Sequence, residues 1–569
     1  MISNTINSMI TNISNAYDTA QTKGATIPQN KNLENLANTI DSIQAGGGGG
    51  YQRPSDWLTI PTLDTTKDEI YILNGVIDDG TNMIFFKISG TGAIDWGDGS
   101  TPETFTSANQ ATFSHHYNYA DINSNTWTNH NMSRQVLVHI SGSRGAITYF
   151  SLAVDYSYTN ADGVTVDYDS YGDGCNGIYE VKADVNSANL FVSKGNGLCK
   201  KMEAFDWKGT IPFNNNNGDS TFVGCYSLQS IPNLDTSKFR KMNSAFNKCY
   251  SLEIAPEIDT SDVRNTMDNM FAYCYSLKSV PLYDTSQVQI MSSMFKECKS
   301  LKNIPKFDTN KVYLMDSMFY ECRSLETVPK LNTKIVTNMN AMFYNCSTLR
   351  AIPELDTRVC NNMSGMFYYC YSLQDVPQLN TSNITEMGSM FSGCRSLEKI
   401  PELDASKVTS INNMFNQCYL LQSVKLYNLN PTYSSTMIVK LSDCTSLTKQ
   451  ALVDFFNSIA TNVNSYSRTI QLGGTIQGYL ANCYVKDSGS YYTTILPTSD
   501  TSIQSGKTYY TYDRNTDTYT QVTPDFTSDT MYYELVTATW NKYVICESTD
   551  TGAMLALDFA RNIKGYTIS

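Results

Sequence analysis

Met294-Phe-Lys-Glu-Cys-Lys-Ser-Leu-Lys-Asn-Ile-Pro-Lys-Phe-Asp-Thr309 is one coil of a repeat. Its Phe-x-x-Cys phrase recurs at Phe222/Cys225, Phe246/Cys249, Phe271/Cys274, Phe295/Cys298, Phe319/Cys322, Phe343/Cys346, Phe367/Cys370, Phe391/Cys394 and Phe415/Cys418. Seven of the eight intervals between those cysteines are 24 residues; the one from Cys249 to Cys274 is 25. A fixed period in this range predicts a solenoid, in which each unit buries its apolar face against its neighbours. Leu stands three residues after each Cys, from Leu228 to Leu421, and Pro seven after it in eight coils, Pro232 to Pro401, with Lys425 breaking the rule. The Leu-x-x-Ile/Val segment reads as a short strand that Pro ends. Asp-Thr-Ser reads as a side-chain-to-backbone turn, and Met-Phe-x-x-Cys as a short helical turn packed inward. Nine rungs stacked in register would span about 45 Å.

These phrases resemble the BspA-type leucine-rich repeat, in its Met-Phe-x-x-Cys-x-Ser-Leu variant. The resemblance covers roughly residues 200–430 and places 156–446 in the solenoid, with an irregular N-terminal cap to about 200. Leu447-Thr-Lys-Gln-Ala-Leu-Val-Asp-Phe-Phe456 looks like the closing helix of such arrays, and 553–569 like their terminal helix and strand. Residues 447–484 and 546–569 thus read as a C-terminal cap, interrupted by a small Tyr/Thr-rich β module at 485–545 with strands near 507–511, 518–522 and 531–536.

The fold class expected is multidomain and mainly β with short helices. Residues 1–45 carry two narrow apolar stripes, Ile2, Ile6, Met9, Ile13, Tyr17 and then Leu33, Leu36, Ile40, Ile43. Neither makes a core alone, so an intermolecular helical bundle, a homotrimer, is expected. Gly46–Gly50 is a linker. Residues 51–155 alternate apolar and polar residues between turns, as a small antiparallel β-sandwich does. There, Ile94-Asp-Trp-Gly-Asp-Gly-Ser100 followed by His115-His-Tyr117 resembles the signature of PKD-type immunoglobulin-like sandwiches, in which such residues shape a strand junction. Asp167-x-Asp169 superficially resembles a calcium loop, but Tyr171 and Ile178 stand where ligands are needed.

Bulk properties exclude several function classes. A net charge of −13 speaks against nucleic acid, whose phosphates call for a basic face. No apolar run is long enough for membrane insertion. Met1–Tyr17 has neither the basic region nor the apolar core of a secretory signal. No P-loop, GxSxG or HExxH occurs, and all four His, at 115, 116, 130 and 139, fall in the sandwich region. The chain therefore reads as non-enzymatic, without cofactor. The nine repeat cysteines form one column; their Cβ vectors run parallel, so they are expected to stay reduced and bond turn backbone, without metal.

The positive signal is a surface column. The residue after each Cys reads Tyr226, Tyr250, Tyr275, Lys299, Arg323, Ser347, Tyr371, Arg395 and Tyr419, and a second column two before the Cys adds Tyr320, Tyr344 and Tyr368. Stacked aromatic side chains with hydrogen-bonding tips suit a host-surface glycan or protein. The plainer reading is that they cover the turns of the next rung.

Two functions follow. The first is a bacteriophage structural protein, a tail or head fibre in the virion, anchored to other virion proteins through 1–45. Lys23-Gly-Ala-Thr-Ile-Pro-Gln-Asn-Lys-Asn-Leu-Glu-Asn-Leu-Ala-Asn-Thr-Ile40 resembles openings of phage tail-associated proteins. The alternative is a bacterial cell-surface adhesin of the BspA type.

Overall fold

The computed structural model describes residues 51–77, 82–122, 133–152, 156–159, 165–168, 177–192, 199–212, 218–429, 436–448, 451, 454, 455 and 458, and the strands named below between 467 and 568. The helical stripes expected in 1–45, the glycine linker and position 169 lie outside the described residues. The protein is mainly β and divides into two compact units, residues 1–331 and 332–569.

The first unit begins with ten strands: β1 (Lys67–Val76), β2 (Met83–Asp95), β3 (Glu103–His116), β4 (Arg134–Ser143), β5 (Ile147–Ser151), β6 (Tyr156–Thr159), β7 (Thr165–Tyr168), β8 (Ile178–Ser187), β9 (Asn189–Phe191) and β10 (Ala204–Thr210). β6 and β7 pair only with each other. The rest make one sheet in the order β10-β8-β1-β4-β2-β5-β9, with β3 on β2. This corrects the two-sheet sandwich expected for 51–155: a single curled sheet forms, and strands as far as residue 210 belong to it. The curl has a local cause. β2 pairs with β5 through Lys87–Gly90 and with β4 through Ala93–Asp95. It bends between them at a bulge on Gly90, whose φ of +125° and whose closeness to the Ala146 carbonyl leave no room for a Cβ.

β1 is buried along nearly its whole length instead of on alternate residues, because the segment before it covers the second face. Trp57 packs on Leu73 and Tyr179, and Arg53 reaches over to Glu180 at 2.7 Å. Fully buried Asp68 accepts the backbone N–H groups of Ile147 and Asn186, each at 2.9 Å, so its desolvation is offset by two charge-assisted hydrogen bonds. The Asp-Trp-Gly-Asp-Gly phrase forms a turn. Asp98 holds the Ser100 amide at 3.0 Å and His115 at 2.7 Å, His115 stacks on Trp96, and the Tyr117 hydroxyl donates to the Trp96 carbonyl at 2.8 Å.

β10 leads into the repeats. One of its edges pairs in parallel with β8; the other meets the first coil, where the Phe205 and Trp207 amides donate to Ser230 O and Asn233 O at 2.9 and 3.2 Å. Beyond it Phe222, Phe246, Phe271, Phe295 and Phe319 stack at 5.3–5.9 Å between ring centroids. Leucine-rich-repeat-like coils are thus stacked in register within this unit. Regular strands are almost absent from them, the exceptions being β11 (Asn265–Thr266) and β12 (Val288–Ile290), a parallel pair. The bridge at Ile254 and Ser279 sits two residues after each coil's Leu.

The Met-Phe-x-x-Cys phrase is not helical, which corrects that expectation. Met294 N, Lys296 N and Cys298 N bond three residues back, to Met291 O, Ser293 O and Phe295 O. The intervening amides, Ser293 N, Phe295 N and Glu297 N, donate instead to Asp316 O, Met318 O and Tyr320 O of the next coil. Three successive tight turns therefore alternate with a ladder, and Ser293 and Glu297 take φ of +56° and +60° to make this possible. The extra residue of the 25-residue interval is also visible. Asn265, at φ +70°, sits at a register shift in β11, as a bulge in a conformation that Asn tolerates.

In the second unit Phe343, Phe367, Phe391 and Phe415 stack at 5.6–6.3 Å. β13 (Leu403–Asp404) pairs with β14 (Leu426–Tyr427). β15 (Thr436–Lys440), β16 (Ser467–Gln471) and, from later in the chain, Thr567–Ile568 make a three-stranded parallel sheet. Residues 451, 454, 455 and 458 are helical, entered through the Thr448 hydroxyl, which accepts the Ala451 amide at 3.1 Å. Between these, β17 (Tyr484–Lys486) pairs with Tyr543–Ile545. β18 (Tyr491–Ile495), β19 (Tyr509–Asp513), β20 (Thr518–Val522) and β21 (Tyr532–Val536) form a four-stranded antiparallel sheet. Among the described residues no helix is long and apolar enough to cross a membrane.

Candidate functional site

Each repeat coil turns its Phe, Cys, Leu and Met side chains inward, and they are essentially inaccessible. The Cys column is wholly thiol. Twelve cysteines are free and buried, and successive Sγ atoms donate to the carbonyl of the previous coil's Phe: Cys249 to Phe222, Cys274 to Phe246, Cys298 to Phe271 and Cys322 to Phe295 at 3.0–3.3 Å. In the second unit Cys370, Cys394 and Cys418 do the same at 3.0–3.1 Å.

Cys225 in the first unit and Cys346 in the second are likewise free and fully buried. Their backbone N–H groups donate to Phe222 O and Phe343 O at 3.2 and 3.1 Å.

Burial pushes the Cys370 and Cys418 thiols up to about 12 from an ordinary 9.0. A desolvated thiol without a cation beside it is a poor nucleophile. Among the described residues no cluster of His, Cys, Asp or Glu is placed to hold a metal.

Because the coils stack, the residue after each Cys rises in a column on the surface. In the first unit Tyr226 stacks on Tyr250 at 4.5 Å and Tyr250 on Tyr275 at 4.8 Å, with interplanar angles of 9° and 17°. Lys299 closes the stack, its Nζ 4.1 Å from the Tyr275 ring centre, while a salt bridge of 3.0 Å ties it to Glu297. Arg323 pairs with Glu321 at 2.7 Å. Lys296 Nζ lies over Tyr320 at 4.9 Å and over Tyr273 at 5.7 Å. Burial, then the neighbouring phenols Tyr226 and Tyr275, push the Tyr250 hydroxyl up to about 12, so it remains a neutral donor at any physiological pH.

The second unit carries its own strip. Tyr344 stacks on Tyr368 at 4.5 Å, Tyr368 touches Tyr369 at 4.1 Å, and Tyr369 stacks on Tyr371 at 5.5 Å. Arg395 bridges Tyr371 and Tyr419 at 4.6 and 5.9 Å and donates to Gln417 at 3.0 Å. A hydrogen bond with Tyr369, more than burial, raises the Tyr368 hydroxyl. Within both strips neighbouring ring faces cover one another or carry a cation.

Two members of the strips, Tyr273 and Tyr369, escape a sequence reading that follows the columns after and two before each Cys. They occupy the position directly before it, which is left-handed in coil after coil: +64° at Tyr273, +60° at Glu297, +61° at Glu321, +54° at Asn345, +57° at Tyr369 and +58° at Gln417. Gly224 and Gly393 at the same phase were the available signal. The Gly393 backbone lies so close under the Tyr369 ring that a Cβ would overlap it.

A protein-family profile described as "Mycoplasma protein of unknown function, DUF285" matches three overlapping stretches of the chain, residues 216–328, 265–375 and 315–428. No curated protein matches the chain. A solved structure described as "Crystal structure of TLR13-ssRNA13 complex" aligns at 13% identity over 51% of this chain and 47% of that one, with a TM-score of 0.21. The chain thus spans about half the length of that protein, and so loose a superposition carries no argument about fold or ligand.

Proposed function

We propose that the protein is a non-catalytic binding protein of a bacterial cell surface, an adhesin of the BspA type that holds a partner protein along its tyrosine strips. The observation that carries this reading is the strip itself: Tyr, Arg and Lys side chains aligned by stacked coils, cations over rings, and hydroxyls held neutral. Tyr and Arg are the residues that protein interfaces enrich, and a pre-stacked ring loses little entropy when a partner docks. Since the ring faces already cover each other, the strips suit a protein surface better than a flat sugar ring. The match to a family described from Mycoplasma favours the cell surface over the virion. The virion reading and its trimeric anchor rest on residues 1–45, outside the described residues.

The test is adhesion of fluorescently labelled full-length protein to host cells and matrix. Tyr250→Ala with Tyr275→Ala, and Tyr344→Ala with Tyr368→Ala, should each weaken adhesion by about tenfold or more, the loss of roughly one interface hot spot. Undiminished adhesion by both double variants, with folding verified by circular dichroism, removes the strips from the function.

A further inference from the structure

Within the second unit a groove of about 370 Å³ opens across the Asp/Asn turns of successive coils, lined among others by Asp356, Arg358, Gln378, Asn380, Asp404 and Tyr427. Small-molecule clefts run from roughly 300 to 1,000 Å³, so this one suits a small ligand. Three observations define which.

The first is a free aromatic ring. Tyr427 is 39% exposed, and unlike the strip tyrosines it has no ring or cation partner among the described residues. The second is a set of polar atoms left over from the turns. Arg358 is clamped to Asp356 through Nε and Nη2 at 2.9 and 2.6 Å, which leaves Nη1. Asn380 Oδ1 accepts both from the Ser382 amide and from its hydroxyl, which leaves Nδ2. Asp404 Oδ1 accepts from Ser406 N and Asn428 Nδ2, which leaves Oδ2. Gln378 Nε2 donates to Leu379 O and Glu402 O, which leaves Oε1. Two donors and two acceptors without partners among the described residues therefore line one small concavity. The third observation is charge. Asp356 and Arg358 cancel each other, and Asp404 leaves the lining with one negative charge, which disfavours phosphate, sulfate and carboxylate ligands.

A ligand meeting all three conditions is neutral, has one apolar face and carries adjacent hydroxyls that both donate and accept. We propose that this groove is a binding site for a neutral pyranoside, its C–H face on Tyr427 and its hydroxyls shared among Asp404, Asn380, Gln378 and Arg358. The site is separate from the strips, so its failure leaves the adhesion reading standing and the reverse.

The experiment is a titration of the full-length protein with the methyl pyranosides of glucose, galactose and N-acetylglucosamine, read by saturation-transfer difference NMR and calorimetry. At least one of them should bind. Tyr427→Ala should weaken that binding by about tenfold or more, Tyr427→Phe should retain it, and Asp404→Asn should weaken it. Tyr344→Ala should leave it unchanged, and inorganic phosphate should not compete. Tyr427 is a surface residue, so its variants fold. No binding by any of the three sugars, or full binding by Tyr427→Ala, overturns the proposal.

Discussion

Removing the same hydroxyl from three neighbouring coils should move stability in opposite directions. Thr236, Thr260 and Thr285 occupy one buried column, 1%, 3% and 1% exposed. The Thr236 hydroxyl donates to the Asp259 carbonyl at 2.6 Å and that of Thr285 to the Asp308 carbonyl at 2.8 Å. Thr260 begins the coil that carries the extra residue, and its hydroxyl is buried with no hydrogen-bond partner. Replacing Thr by Val keeps the shape and removes the hydroxyl. At positions 236 and 285 the change abandons a part-buried hydrogen bond, which costs about 1–1.5 kcal/mol. At position 260 it removes an unsatisfied polar group from an apolar interior, so stability should hold or rise by up to about 1 kcal/mol. For a unit of this size 1 kcal/mol corresponds to about 2–4 °C in melting temperature. The assay is thermal unfolding of the full-length variants, with hydrogen exchange of peptides spanning 236–316 to localise the change. Thr236→Val and Thr285→Val should melt several degrees lower and exchange faster locally, and Thr260→Val should not. Equal losses at all three positions would refute the reasoning, because coil-to-coil bonding would then not be what the column contributes.

Native protein treated with a thiol reagent at pH 8 should modify at most three of its fifteen cysteines, Cys175, Cys483 and Cys546, since the other twelve are buried; counting labels by mass spectrometry with and without denaturant checks it. The same burial sets a pH dependence. The thiols of Cys370 and Cys418 are raised when folded, so the unfolded chain loses those protons first and the folded state binds more protons above pH 9. Stability should be full below about pH 9 and fall as pH rises toward 12, seen as a falling melting temperature; a flat profile across that window contradicts the assigned environments. Gly209→Ala should lower the melting temperature, because Gly209 bulges at φ +125° where a Cβ would overlap the Val185 carbonyl; the expected cost is about 2 kcal/mol or more, and normal melting would show that the β10 junction is dispensable. Deleting Asn265 restores a 24-residue interval and should leave folding intact by circular dichroism, whereas collapse would mean that the bulge is not where the extra residue is absorbed.

The stacking of coils was legible because identical phases of Phe, Cys and Leu repeat too regularly to serve anything but a ladder of like side chains. The Asp-Thr-Ser turns were legible for a chemical reason: Asp235 and Asp284 accept the amide two residues on, at 3.0 and 2.9 Å, as any such tripeptide can. Met291, Met294, Phe295 and Cys298 misled, since three- and four-residue spacing fits a helix and a run of tight turns alike. The left-handed position before each Cys accepts Lys, Tyr, Glu, Asn and Gln as well as Gly, so identity gave little hint of geometry and hid Tyr273 and Tyr369. The groove at Tyr427 left no periodic trace because it sits in the coil where Lys425 stands in place of proline. β8 joins the N-terminal sheet by antiparallel pairing with β1 across about a hundred residues of chain, and β10 by parallel pairing with β8; alternation of apolar residues encodes neither partner.

Within the first unit, the edge that β10 offers to the first coil is bonded in the same sense as the edge one coil offers to the next. Growth of the array therefore needs no new joint. A duplication or loss of one 24-residue unit inside the gene leaves every remaining neighbour with an equivalent neighbour, and the bulge at Asn265 shows that even an imperfect copy is accommodated. Length is the variable this architecture leaves open to selection, and with it the number of tyrosine rungs on display.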